Sequence, residues 1–234
     1  MKEEEIKMIT DDKRVRMITG YYGSGKTEFA LNYISKLATT SKRSAIADLD
    51  IVNVFFRSRE RAKELEALGI EVISSSMTQD SSDMPALSSK IVKPLRDKSY
   101  DYVMDLGGSE IGANVLGRYQ PDIDPKEVDF FMVVNVFRPE TGTVDEICKQ
   151  KELLEEKSGL KVTGFINNSN LIHETKMEHI LEGDAILKEV VEITKVPVRY
   201  TTCMLEEVGQ CEELGKRVQG ELFPMHYKMR ESWM

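Results

Sequence analysis

Residues 20–27, GYYGSGKT, satisfy the pattern G-x-x-x-x-G-K-[ST] in full, and this stretch restricts the fold more tightly than any other. It leaves a short apolar run, Val15–Thr19 (VRMIT), and enters a segment, Thr27–Leu37, whose apolar residues Phe29, Ala30, Tyr33, Ile34 and Leu37 recur at helical spacing. A strand, a glycine-rich turn and a helix are therefore predicted in direct succession. Glycines let the backbone double back so that successive N–H groups point inward, and the helix N-terminus adds its partial positive charge, which together make an anion cradle. In such a cradle Lys26 is expected to reach the β- and γ-phosphates of a nucleotide, and Thr27 to offer its hydroxyl to Mg²⁺. Gly20, Gly23, Ser24, Gly25, Lys26, Thr27 and Glu28 make up the expected phosphate-binding set.

The strand–helix rhythm continues along the chain. Ala45–Leu49 (AIADL), Glu71–Ser74, Tyr102–Leu106 (YVMDL), Phe130–Phe137 (FFMVVNVF), Val162–Asn167 (VTGFIN) and Val198–Tyr200 read as strands. Arg57–Leu68, Ala86–Asp97, Thr141–Lys157, Met177–Ile193 and a segment near Glu206–Val218 read as helices. Strands that are apolar throughout, rather than in alternation, are buried on both faces, which calls for a parallel sheet covered by helices. The predicted fold class is α/β, a single doubly wound, mostly parallel sheet flanked by helices. The serine-rich stretch Ser74–Ser82 reads as a loop, because the rhythm resumes after it. One domain is expected over residues 1–234, with residues 1–13 as an N-terminal extension and 222–234 as a C-terminal tail.

Composition narrows the function classes. The chain has 234 residues, 41% hydrophobic and 31% charged, which is ordinary globular composition. A net charge of −8 with no basic block argues against sequence-independent nucleic-acid binding, which rests on Lys and Arg neutralising phosphates. Cys148, Cys203 and Cys211 lie far apart with no CxxC spacing, so neither a disulfide framework nor a four-ligand zinc site is predicted, and free thiols fit a reducing compartment. The charged N-terminus lacks the apolar core of a leader peptide, and no apolar run reaches the 18 residues of a membrane span. The terminal segment LFPMHYKMRESWM carries aromatic and basic residues, but Pro224 interrupts it and Glu231 opposes an anionic surface, so membrane contact is not expected. A cytoplasmic protein is the expectation.

Two acidic clusters belong beside the phosphate loop. Asp105 ends an apolar strand and opens D-x-x-G (Asp105, Leu106, Gly107, Gly108), a spacing that lets the carboxylate hold an Mg²⁺-bound water and the Gly108 N–H sense a γ-phosphate. Asp48 and Asp50, in ADLDIVN, flank the end of the second strand. An unpaired carboxylate is costly to bury there, and a magnesium–phosphate centre would account for it. GYYGSGKT, ADLDIVN and MDLGG, in that order, resemble the phosphate loop and two switches of the MinD/ParA/CobQ-type branch of P-loop nucleotide-binding proteins. The resemblance covers about residues 14–205. It implies Lys26 and Thr27 on phosphate and Mg²⁺, Asp50 as the water-positioning acid with Asp48 the weaker candidate, and Asp105 with Gly108 as the γ-phosphate sensor. Lys26, Asp50 and Asp48 are then the catalytic set, and Thr27, Asp50 and Asp105 the metal set.

The sequence departs from that family at Tyr21, where the family usually has a second lysine used across a dimer interface; Arg57 or Arg59 could replace it as a cation. Asn167, ahead of Asn168, is expected to contact the base. The position that carries an aspartate in N-K-x-D relatives is read as Asn170, and loss of that charge-assisted bond favours ATP over GTP. The resulting expectation is an Mg²⁺-dependent ATPase whose switch loops couple hydrolysis to an unidentified partner protein, with a homodimer possible. Alternatives are a nucleotide-gated assembly or metalloenzyme-maturation factor using GTP, and a small-molecule kinase.

Overall fold

The computed structural model describes residues 11–41, 43–49, 62–74, 84–108, 116–204 and 212–228. Their strands are β1 (Val15–Thr19), β2 (Ser44–Asp48), β3 (Ile70–Ser74), β4 (Asp101–Asp105), β5 (Val128–Val134), β6 (Gly164–Asn167), β7 (Val198–Met204) and β8 (Glu221–Met225). These form one eight-stranded sheet in the order β3-β2-β4-β1-β5-β6-β7-β8, with every pairing parallel. The principal helices are α1 (Lys26–Leu37), α2 (Ala62–Ala67), α3 (Met84–Arg96), α4 (Val144–Ser158) and α5 (Met177–Thr194).

Side-chain alternation along continuous apolar strands divides the core into two layers. In β1, Val15 and Met17 join a cluster with Ile91 and Leu95 of α3, Ile147 and Leu154 of α4, and Leu187 and Val190 of α5. Ile18 faces the other way, into Phe29, Tyr33, Ile34 and Leu37 of α1 and Leu65 of α2. In β5, Phe130, Met132 and Val134 take the first side and Phe131 and Val133 the second. The expected doubly wound sheet with helices on both faces is what the chain forms.

The connection after β1 runs through β2 and β3 on one side of the sheet, while β5 to β8 build the other side. β1 therefore lies at the switch point between β4 and β5, where the carboxyl ends of parallel strands leave a crevice. The phosphate loop opens directly into it.

Some predicted boundaries move for local reasons. α4 begins at Val144 rather than Thr141, because the Thr143 hydroxyl and Glu146 form a capping box and residues Pro139–Thr141 are a 3-10 turn. It stops at Gly159, which takes the left-handed conformation (φ 70°). The predicted tail from residue 222 is a larger correction, for Glu221–Met225 pair in parallel with β7 as an eighth strand. Pro224 is tolerated because β8 is an edge, where an N–H can be spared. Of the N-terminal extension the described residues begin at 11, and among them Asp12 is buried and accepts hydrogen bonds from the hydroxyls of Tyr33 and Tyr200 and from Arg199 Nε at 2.6 Å. Beside it the buried Arg16 guanidinium donates to Asp101 and to the Asp12 and Arg14 carbonyls, locking the amino end of the sheet.

Free thiols were expected throughout. Cys148 is free, with burial and the neighbouring Asp145 and Glu152 pushing its thiol pKa up, but Cys203, at the end of β7, is disulfide-bonded. Cys211 lies outside the described residues, as do Asp50, Arg57, Arg59 and most of the Ser74–Ser82 stretch. Among the described residues no helix is long and apolar enough to cross a membrane.

Candidate functional site

The loop from Gly20 to Lys26 is built on glycines that no other residue could replace without strain. Gly23 (φ 75°) and Gly25 (φ 86°) take left-handed conformations, and Gly25 directly precedes α1 without offering a side-chain cap. The N–H groups of Tyr22, Gly23, Gly25 and Thr27 have no acceptor among the described residues. Ser24 Oγ, fully buried, likewise has no hydrogen-bond partner among them. Tyr22 and Gly23 are exposed, but Ser24 and Thr27 are buried, and buried donors are normally satisfied, so this helix N-terminus fits a ligand with several acceptor oxygens.

Below the loop stand the two acidic strand ends. Asp48 and Asp105 are register partners in the β2–β4 pairing, and both are buried. The Thr27 hydroxyl donates to Asp105 Oδ2 at 2.7 Å. A hydroxyl and two carboxylates gathered beneath a phosphate cradle are hard oxygen donors, the set that Mg²⁺ takes alongside phosphate oxygens and water. Lys26 is buried at the head of α1.

Gly108 fits against the loop so closely that a Cβ there would lie 1.7 Å from the Gly20 carbonyl oxygen. Its own carbonyl accepts from Gln150 Nε2 of α4 at 3.1 Å, a contact across 42 residues that motif spacing did not reveal. The two predicted asparagines separate in role. Asn167 donates to the Ile180 carbonyl of α5 at 3.0 Å and accepts from the Ser169 N–H at 3.2 Å, so its amide is spent on packing between β6 and α5. Asn168 reaches the loop instead: its Nδ2 donates to the Ser24 carbonyl at 2.6 Å and its Oδ1 accepts from the Thr202 hydroxyl at 2.6 Å. Glu28 turns from the cradle toward the C-terminal segment, where its carboxylate receives the Lys228 N–H and, at 3.4 Å, the Asn32 amide.

The comparisons with known proteins rest on structure alone. No family model matches the chain, and no curated protein sequence matches it. Among solved structures it is similar to FtsY from Mycoplasma mycoides, at 15% identity over 84% of this chain and 66% of that one, with a TM-score of 0.54. It is also similar to the cell division protein FtsY from Thermotoga maritima, at 18% identity over 86% and 68% of the two chains, with a TM-score of 0.54. The chain thus spans about two thirds of the length of these proteins. The fold is that of a P-loop NTPase. In this chain the loop that follows the first strand is the cradle from Gly20 to Thr27.

A cleft lined by Asn168, Asn170, His173, Thr202, Met204 and Tyr227 opens beside the loop, at the carboxyl ends of β6 and β7. The His173 and Tyr227 rings, both in its lining, pack against each other at a tilt of 46° with centroids 5.4 Å apart. Asn170 does not offer its side chain there. Its Nδ2 donates to the Asn168 carbonyl at 2.6 Å and its Oδ1 accepts from the Ile172 N–H at 3.2 Å. Among the described lining residues none is acidic.

Proposed function

We propose that the chain is an Mg²⁺-dependent ATP-binding protein and ATPase whose switch segments couple the nucleotide state to a partner protein. The observation that carries this reading is the placement of Thr27, Asp105 and Asp48 together beneath an orphaned set of loop N–H groups. In this reading the N–H groups of the loop and Lys26 bind the β- and γ-phosphates. Thr27 and Asp105 hold the metal, and Asp50, two residues past the end of β2, shares in that and orients the attacking water. When bound, Mg²⁺ would supply positive charge that offsets the negative charge developing on the phosphate oxygens. Asp48 supports that acid from the strand end, and Gly108 places its N–H where a γ-phosphate is sensed. Positioning and charge stabilisation supply most of the acceleration, so intrinsic turnover is slow until a partner completes the site.

The choice of ATP rests on the cleft beside Asn168. A guanine base is selected by an ionised carboxylate that accepts from its two N–H groups; the described lining offers none, and the Asn170 amide is committed to its own loop. The aromatic and thioether lining suits stacking on an adenine ring.

Thermal unfolding with Mg²⁺ plus ATP, and separately Mg²⁺ plus GTP, each against Lys26→Ala, tests the reading. A ligand at a hundred times its Kd stabilises by about 2.7 kcal/mol. A rise with ATP alone that Lys26→Ala abolishes is the expected result. A rise with GTP alone overturns the base assignment, and no rise with either overturns nucleotide binding.

A further inference from the structure

Arg138 lies in the connection between β5 and α4, and its guanidinium rests against the phosphate loop. Its Nε donates to the Gly23 carbonyl at 3.0 Å. A Cβ built on Gly23 would meet that Nε at 3.2 Å and the guanidinium carbon at 3.7 Å, so the group packs directly on the loop backbone. Arg14, Arg16, Arg43, Arg96 and Arg199 each meet a carboxylate. Arg138 meets none among the described residues, and its two Nη groups have no hydrogen-bond partner among them.

The perch is stiff. The Arg138 N–H donates to the Asn135 carbonyl at 3.1 Å, and the Arg138 carbonyl accepts from the Thr141 N–H at 3.1 Å. Thr141 Oγ1 closes the turn on the same Asn135 carbonyl at 2.8 Å. Asn135 is itself fully buried and donates to the Asn170 carbonyl at 3.1 Å. Pro139 follows and fixes its own φ.

A cation held against a loop that already gathers Lys26, orphaned N–H groups and a helix N-terminus is electrostatically unfavourable while nothing lies between them. An anion in the cradle reverses the sign of that interaction, and a planar fork of N–H donors matches phosphate oxygens in geometry as well as charge. We propose that Arg138 is a second phosphate-binding cation, whose free Nη groups engage the polyphosphate chain of the bound nucleotide from the side of Gly23. The proposal rests on the nucleotide-binding reading and deepens it. Because Arg138 belongs to the same chain as the loop, the site does not need a second copy to bring this charge.

The test is titration of a fluorescent ATP analogue with Mg²⁺ at several salt concentrations, using wild type, Arg138→Ala, Arg138→Gln and Arg138→Lys, alongside thermal unfolding of each unliganded protein. Gln keeps an N–H able to reach the Gly23 carbonyl but carries no charge, so it separates a phosphate contact from a loop brace. Ala and Gln are both expected to weaken binding about tenfold or more and to flatten its salt dependence, the scale of one charge-assisted hydrogen bond. Lys restores part of the affinity. Gln binding with wild-type affinity overturns the proposal and makes Arg138 a brace, and Ala binding with wild-type affinity overturns it outright. Wild-type protein that fails to bind the analogue overturns the nucleotide reading itself, and this proposal with it.

Discussion

The Thr27 hydroxyl donates to the Asp105 carboxylate at 2.7 Å, joining the first turn of α1 to the end of β4 across 78 residues of chain. The bond closes the floor of the cradle and brings together two groups that the sequence offers in separate motifs. It also tells how each can be altered without unfolding the protein, since an asparagine at 105 can still accept the Thr27 proton.

Asp105→Asn should therefore keep the fold and lose the metal. Affinity for Mg²⁺–ATP is expected to fall roughly 10–100-fold, the range for disturbing an oxygen ligand or its support. The difference from wild type should vanish when binding is measured in EDTA. Equal Mg²⁺ dependence in the two proteins would remove Asp105 from the metal set.

Gly108→Ala puts a methyl group where the Gly20 carbonyl oxygen already sits, 1.7 Å from the new Cβ. Neither backbone can yield without moving the loop, and an overpacked site of this kind costs about 1–3 kcal/mol. Nucleotide affinity should drop further than stability does. Thermal unfolding and nucleotide titration on the same variant compare the two losses, and unchanged binding would refute the close approach.

The neighbouring asparagines should behave differently. Asn168→Ala releases the Ser24 carbonyl, so binding should weaken and stability should fall by about 1–3 kcal/mol for a buried group left unpaired. Asn167→Ala removes contacts to Ile180 and Ser169, away from the loop, and should lower the melting temperature while leaving the affinity of the folded protein unchanged. A loss of affinity in Asn167→Ala at a temperature well below its transition would reverse the assignment.

Glu155 supplies a pH-dependent contribution far from the site. Burial opposes its ionisation, but Lys161, Lys151 and the Val162 N–H outweigh burial and hold its pKa below the reference value of 4.5. A depressed pKa stabilises the fold at pH above the unfolded value, and that contribution disappears as pH falls from about 4.5 through the lower folded value. Glu155→Gln should accordingly lower the melting temperature at pH 7 and converge with wild type near pH 3. A gap that stays constant from pH 7 to pH 3 would show that the charge is not the cause.

Much of the fold was legible because burial on both faces writes itself into the strands as unbroken apolar runs, as in VRMIT and YVMDL. The phosphate loop was legible because its glycines and its Lys–Thr pair are contiguous. β8 was not, since Glu221 and Pro224 disguise a strand that needs only one paired edge. The separate packing of Asn167 and Asn168 was hidden for a related reason: adjacent residues at a strand end face opposite ways, and only the structure shows that α5 takes the Asn167 amide and the loop the Asn168 amide. A Cβ on Gly183 would lie 2.7 Å from Asn167 Oδ1, so that helix claims Asn167. Arg138 and Gln150 lie in no motif. The rule that ligands gather at the carboxyl ends of parallel strands would have singled out Arg138, four residues past the end of β5, but no pattern of spacing points to Gln150.

Pro224 in the outermost strand has a consequence for assembly. An open sheet edge is a template on which another chain can add a strand, and a proline there withholds one of the N–H groups that such an addition needs. Growth of the sheet across β8 from one molecule to the next is thereby discouraged, whereas the opposite edge, β3, carries no proline.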